Sequence, residues 1–158
     1  MNERDDVRAA AGDARDAITE GPWEALAREH LAAGRVLVTK VRGQSMWPLI
    51  CDGERVEVRP RTGGVEVGDV VLVTLGGGLV LHRVVLVEGP GVVTKGDAVG
   101  WCDPAVLLDD VLGVVDPTGR SRLVGRAGAR WIATVSRLGA EPLATALRKL
   151  RVALGRQP

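Results

Sequence analysis

The chain contains no phenylalanine and no tyrosine, and tryptophan is present only four times. So few aromatic side chains argue against a base-stacking platform for single-stranded nucleic acid. An excess of one charge sign is also missing. The 21 basic and 20 acidic residues leave a formal net charge of +1, so no global field would gather a polyanion, and nucleic acid is not an expected partner. Cysteine is scarce too: Cys51 and Cys102 lie far apart, in no CxxC or Cys/His cluster. Neither a disulfide framework nor a structural metal site is expected from them. Both read as buried small hydrophobes, with Cys102 also placed to line a pocket beside Asp103. No cofactor is implied. The longest unbroken apolar runs, such as Val70–Val73 and Val84–Val87, fall far short of the roughly 20 residues of a membrane span. Residues 1–20 are charged and hold no apolar segment of the kind a secretory signal needs. The expected location is the cytoplasm.

What is present is an ordinary globular balance. The 158 residues are 46% hydrophobic and 26% charged, enough chain for one domain with a real core. Charge is unevenly distributed along it. Residues 1–20 carry three arginines against six acids, whereas residues 119–158 carry eight arginines and Lys149 against Glu141 alone. Three regions are expected: a charged arm and helix over 1–34, a β domain over 35–124, and a basic helical tail over 125–158. In the first, a helix runs from Pro22 to Ala33, with proline in its first turn and Gly34 as its stop. Trp23, Leu26, Ala27, His30 and Leu31 recur at helical spacing and predict the face it buries. The second holds Val-rich runs at 36–38, 55–58, 70–75, 79–87, 91–94 and 111–115, punctuated by Gly-Asp, Arg-Pro and Gly-Gly turn signals. Gly76-Gly77-Gly78 reads as a hairpin loop. The pattern predicts a mainly β fold, a compact sheet or barrel with flanking N- and C-terminal helices, and not a βαβ fold. In the tail, Trp131, Ile132, Val135 and Leu138 share one face, and Leu143, Leu147, Leu150 and Leu154 oppose Arg148, Lys149 and Arg151. This is either a helix packed on the domain or a basic amphipathic segment lying peripherally on an anionic membrane or a partner.

Three short stretches carry groups able to do chemistry. In Val41-Arg42-Gly43-Gln44-Ser45-Met46-Trp47-Pro48, Gly43 allows a sharp turn that exposes Ser45 as a nucleophile, although most such serines only cap turns. Met46 and Trp47 either flank a cleft or pack on the β domain. In Leu79-Val80-Leu81-His82-Arg83-Val84-Val85, His82 is either a hydrogen-bonded structural residue or the base a serine hydroxyl requires near neutral pH. In Thr94-Lys95-Gly96-Asp97, followed by Asp103, either acid read alone belongs to a turn or a cap. Beside His82, one of them would fix its tautomer and stabilise the imidazolium.

Taken in order, G-x-S-M-x-P, a Gly-Asp strand, H-R-V-V, T-K-G-D…D and V-L-G-V-V resemble the signal peptidase family of serine endopeptidases. The wider S24–S26 group includes the self-cleaving domains of SOS-type repressors. The resemblance covers about half of the chain, from Val36 to Val115. His82 stands where the bacterial branch has a lysine, so the chain is similar to the endoplasmic-reticulum and archaeal-type branch. The resemblance implies Ser45 as nucleophile, His82 as general base, Asp103 as orienting carboxylate and Asp97 as a supporting acid. It also implies that substrate lies against the sheet edge, near Gln44, Met46 and Trp47. Many relatives add a serine hydroxyl to the oxyanion hole two positions before the nucleophile, where this chain has Gly43; the Ser45 N–H and Gln44 are the donors at hand. Lys95 is the alternative base, in a Ser-Lys dyad, and would need strong desolvation.

The resemblance implies a peptide or preprotein substrate cut after small residues, although the helix expected ahead of Ser45, Pro22 to Ala33, is too short and too polar to be the membrane anchor usual in that family. Two other functions compete. One is a self-processing regulator, with Ala11-Gly12 and Ala33-Gly34 as scissile bonds, weakened because no helix-turn-helix fits within residues 1–33. The other is a peptide-binding β module whose catalysis has lapsed.

Overall fold

In a computed structural model of the chain, residues 21–116 and 127–134 are described. The element order is α1 (Pro22–Ala32), β1 (Leu37–Lys40), β2 (Arg55–Pro60), β3 (Val70–Leu75), β4 (Gly78–Glu88), β5 (Gly91–Lys95), β6 (Val106–Leu107), a 3-10 turn (Leu108–Asp110) and β7 (Val111–Val115). Residues 127–134 form a further helix, α2. The strands make one antiparallel sheet in the order β1-β2-β7-β3-β4-β5-β6, with β1 and β6 at its edges. The fold is mainly β with a helix at either end, as the strand density predicts.

Strand β3 is buried on both faces, which is why its sequence is an unbroken apolar run. Val70 and Leu72 enter one core cluster with Leu31, Val41, Met46, Ile50, Val56, Val58, Leu112 and Val115. Val71 and Val73 point the other way, into a cluster with Val65, Val84, Val92, Val106 and Val111. Strand β2 has one buried face and alternates accordingly: Val56 and Val58 point inward, Arg55, Glu57 and Arg59 outward. The hairpin at the glycine triplet is tighter than the three-residue loop expected. Leu75 pairs with Gly78, leaving Gly76 and Gly77 alone in the turn. Their φ angles of 57° and 76° suit the two-residue turns that match strand twist.

Helix α1 begins with Pro22 at its first turn and ends where predicted. Gly34, at φ 76°, donates to the Leu31 carbonyl and Arg35 to that of His30, a C-terminal pattern that a left-handed glycine makes possible. The predicted buried face needs correction. Ala27 and Leu31 face the sheet together with Glu24, whereas Trp23 and Leu26 are 58% and 53% exposed. The stripe at 24, 27 and 31 carries the smaller side chain at its centre, so the helix approaches β7, β1 and β2 on Ala27 and turns the indole out. The cysteine expectation is corrected as well. Cys51 is half-buried and Cys102 exposed, because Cys102 lies in the connection from β5 to β6, a surface excursion where its neighbour Asp103 is the residue turned inward. Strand β6, only two residues long, had no signal in the sequence. The second leucine-rich stretch of the tail, 143–154, lies outside the described residues, as does Ala11-Gly12. Among the described residues no helix is long and apolar enough to cross a membrane.

Candidate active site

The serine turn grows out of the edge strand. After β1, Val41 continues the ladder by donating to Glu54 and accepting from Gly53. Gly43 then takes φ 89°, in the left-handed region that favours glycine, and its N–H donates to Asp52 Oδ1 at 2.8 Å. A turn follows in which Trp47 N–H donates to the Gln44 carbonyl and Ile50 N–H to that of Met46. Ser45 heads this turn, half-buried, and its N–H donates to nothing among the described residues. Gly43 is therefore used for its backbone, which explains locally why no serine stands there.

The Ser45 carbonyl accepts from Ala98 N–H at 2.7 Å, pinning the turn to the end of β5. There Gly96 permits very close approach: a Cβ at that position would stand 2.8 Å from the Ser45 carbonyl oxygen and 2.9 Å from its Cβ. Arg83 pairs with Lys95 across β4 and β5, and the next position along this antiparallel ladder sets Gly96 alongside His82. The serine turn thus abuts the His82 segment of β4 through a glycine that adds no bulk between them.

His82 is 8% exposed. Its Nδ1 lies 2.6 Å from Asp103 Oδ2, and the same oxygen accepts from Thr94 Oγ1 at 2.7 Å. An ionised carboxylate only accepts hydrogen bonds, so Nδ1 carries the hydrogen and Nε2 is left as the acceptor. The Asp103 N–H donates to the Thr94 carbonyl at 2.9 Å, so residue 94 holds the acid through both backbone and side chain. Thr94 belongs to the T-K-G-D stretch, but it is the return of the loop after β5 that brings Asp103 back to it.

The two acids that the sequence left unseparated have different partners. Asp97 receives Arg83 Nε on Oδ1 and Nη2 on Oδ2, both at 2.7 Å, while Arg83 Nη1 donates to the Gly68 carbonyl at 2.8 Å. All of these are buried. The bidentate pair ties β4 to the 96–99 turn beneath Ser45 and to the turn before β3, and this use of Arg83 was not anticipated. Lys95 sits on the opposite face of the ladder from His82 and is 1% exposed. Burial holds its ammonium below the ordinary lysine value, against the opposing pull of Cys102, Asp97 and Asp103. Among the described residues, no group of three His, Cys, Asp or Glu side chains is placed to hold a metal ion.

The three residues expected near substrate are placed differently from one another. Gln44 is exposed, whereas Met46 belongs to the core cluster and Trp47 is buried. For Met46 and Trp47 the expectation of cleft-lining side chains gives way to burial, because the turn after Ser45 carries Met46 into the core cluster with Val41 and Ile50 and leaves Trp47 buried beside it in the chain. The Ala33-Gly34 bond lies in the hydrogen-bonded end of α1, at the far end of β1 from Ser45.

A mainly β domain with a His–Asp pair beside a half-exposed serine turn defines the class. The Peptidase S24-like family matches residues 6–93, more than half of the chain, and the chain belongs to that family. The match takes in Ser45 and His82 and stops before Thr94 and Asp103. No curated protein matches the chain.

Proposed function

We propose that this protein is a serine endopeptidase of the signal-peptidase type that cleaves a leader or precursor peptide after small residues. The single observation that supports this most is the His82–Asp103 hydrogen bond, reinforced by Thr94, on the strand that the serine turn abuts. In this mechanism Ser45 attacks the scissile carbonyl while His82 Nε2 takes its proton. Asp103 holds the ring and stabilises the imidazolium, and His82 then gives the proton to the leaving amine. Water resolves the acyl-enzyme by the same route. The Ser45 N–H, which has no acceptor among the described residues, is the first oxyanion donor. Substrate adds along the outer edge of β1, which pairs with no other strand among the described residues and leads into Ser45.

A peptide library digested with the wild-type protein, Ser45→Ala, His82→Ala and Lys95→Met, and read by mass spectrometry, tests this directly. Cleavage lost in the first two variants and kept in Lys95→Met is expected. Cleavage that survives His82→Ala and vanishes in Lys95→Met would transfer the base to the lysine. The self-processing alternative requires an extended scissile bond near Ser45. Ala33-Gly34, held in a helix end, does not offer one, so an unchanged intact mass on prolonged incubation is expected as far as that bond is concerned.

A further inference from the structure

The solvent face of the β1–β2 ribbon bears an arrangement that stability does not favour. Lys40 and Arg55 stand directly opposite each other in the ladder, and like charges so placed repel. Arg42, also exposed, follows two positions on, toward Ser45. Among the described residues none of the three has a hydrogen bond or ion pair from its side chain. The nearby acids are differently disposed. Asp52 accepts from the Gly43 N–H, Arg59 pairs with Asp116, and Glu57 stands opposite Val38, farther from the serine turn. Farther up the same side, Val36 and Val38 are 45% and 59% exposed. Beyond them lies the edge of the sheet, where β1 pairs with no further strand among the described residues and can take another.

We propose that this basic end of β1 selects substrates with acidic residues in the stretch that lies along the strand, within about six residues of the scissile bond at roughly 3.3 Å per residue. The inference rests on the endopeptidase reading and adds to it a substrate class: peptides combining apolar side chains, which meet Val36 and Val38, with Asp or Glu, which meet Lys40, Arg42 and Arg55. A strand added at this edge supplies the missing counter-charge. An acid on the added strand lies beside Lys40, with Arg55 one strand farther in, and offsets the repulsion between the two cations in the free protein. Specificity of this kind also works against the wrong partner, since a basic segment meets like charge.

The test uses three peptides with the same small-residue cleavage site. They carry Glu, Gln or Lys at three flanking positions, on either side of the bond in separate sets. Each is digested by the wild-type protein and by the charge-reversed variant Lys40→Glu/Arg55→Glu, and every rate is normalised to that protein's own Gln peptide. The wild type should favour Glu over Lys by about tenfold in kcat/KM, chiefly through KM, as a few exposed charge pairs allow. The preference should shrink in high salt and reverse in the variant. Equal rates for all three peptides, or a preference that the reversal leaves unchanged, would overturn the substrate class while leaving the protease intact. If the wild type cuts no peptide, the endopeptidase reading fails on its own. Fluorescence anisotropy of the same peptides on Ser45→Ala then decides the docking preference separately, and binding blind to charge overturns it. Retention on phosphatidylglycerol vesicles that the reversal abolishes, with no discrimination among peptides, also overturns it and assigns the surface to a membrane.

Discussion

Asp97 and Asp103 stand six positions apart in one loop, and the fold gives them different work. Asp103 meets the His82 ring and the Thr94 hydroxyl, while Asp97 is locked to the guanidinium of Arg83. Asp103→Asn preserves shape but replaces an acceptor with an amide that no longer fixes the Nδ1 hydrogen. The expected outcome is a loss of about 10⁴-fold in kcat, the size of effect known for the orienting acid of a serine protease triad, with little change in the urea midpoint. Asp97→Asn has the opposite profile. It leaves Arg83 buried with half its partner gone, and breaking a buried pair this way costs about 3–5 kcal/mol. Equilibrium urea unfolding should show this, alongside a kcat on peptide that falls far less than in Asp103→Asn. If the two variants exchange profiles, the roles assigned to the acids are reversed.

Among the elements, Gly96 and Gly113 mark places where neighbours approach too closely for any side chain. In β7, a Cβ at Gly113 would meet the Arg59 carbonyl oxygen at 2.5 Å and Val58 Cγ1 at 2.7 Å, so alanine there forces apart β2 and β7, two strands of the core. Overpacking of this kind costs about 1–3 kcal/mol, and Gly113→Ala should lower the melting temperature while leaving kcat/KM nearly intact at temperatures where it is folded. Gly96→Ala pushes instead on the Ser45 turn. Its expected signature is a loss of activity much greater than its loss of stability, measured by peptide cleavage and thermal melting on the same preparation. The sequence reveals such elements unequally. Strands β2 and β3 announce themselves, one by alternation and the other by a continuous apolar run, because burial on one face or two leaves a direct imprint on composition. Strand β6 leaves none, since two residues carry no period. Helix α1 was legible in extent through Pro22 and Gly34, but its orientation was not. Trp23 and Leu26 satisfy helical spacing as well as Ala27 and Leu31 do, and only the close approach of the sheet decides between adjoining stripes. The candidate site divides the same way. Ser45 and His82 can be picked out by their local sequence, whereas the choice between Asp97 and Asp103 depends on strand register and a loop that no spacing rule fixes.

For the molecule as a whole, Lys95 couples stability to pH. The side chain is fully buried among the strands that carry the candidate site, and desolvation holds its pKa below the ordinary 10.5, outweighing the pull of Cys102, Asp97 and Asp103. Below the depressed pKa the ammonium is charged in both folded and unfolded states, and the folded state bears the whole cost of burying it. Between that pKa and 10.5 the unfolded chain holds a proton that the native state has released. Unfolding then takes up a proton, and stability contributed by this group rises with pH. Above 10.5 both states are neutral and the penalty is gone. Lys95→Met keeps the length of the side chain and removes the charge, so the variant should exceed the wild type in stability at pH 7. Its advantage should narrow steadily as pH climbs toward 10.5. The chain has three lysines and no tyrosine, which leaves few other groups titrating in that alkaline window, and those that do not interact with Lys95 cancel in the difference. Urea midpoints for the pair at intervals from pH 7 to 10.5 measure it. A variant less stable than the wild type at pH 7 would mean that the ammonium's attraction to its acidic neighbours exceeds the cost of its burial, and Lys95 would then be an electrostatic clasp of the 96–103 loop.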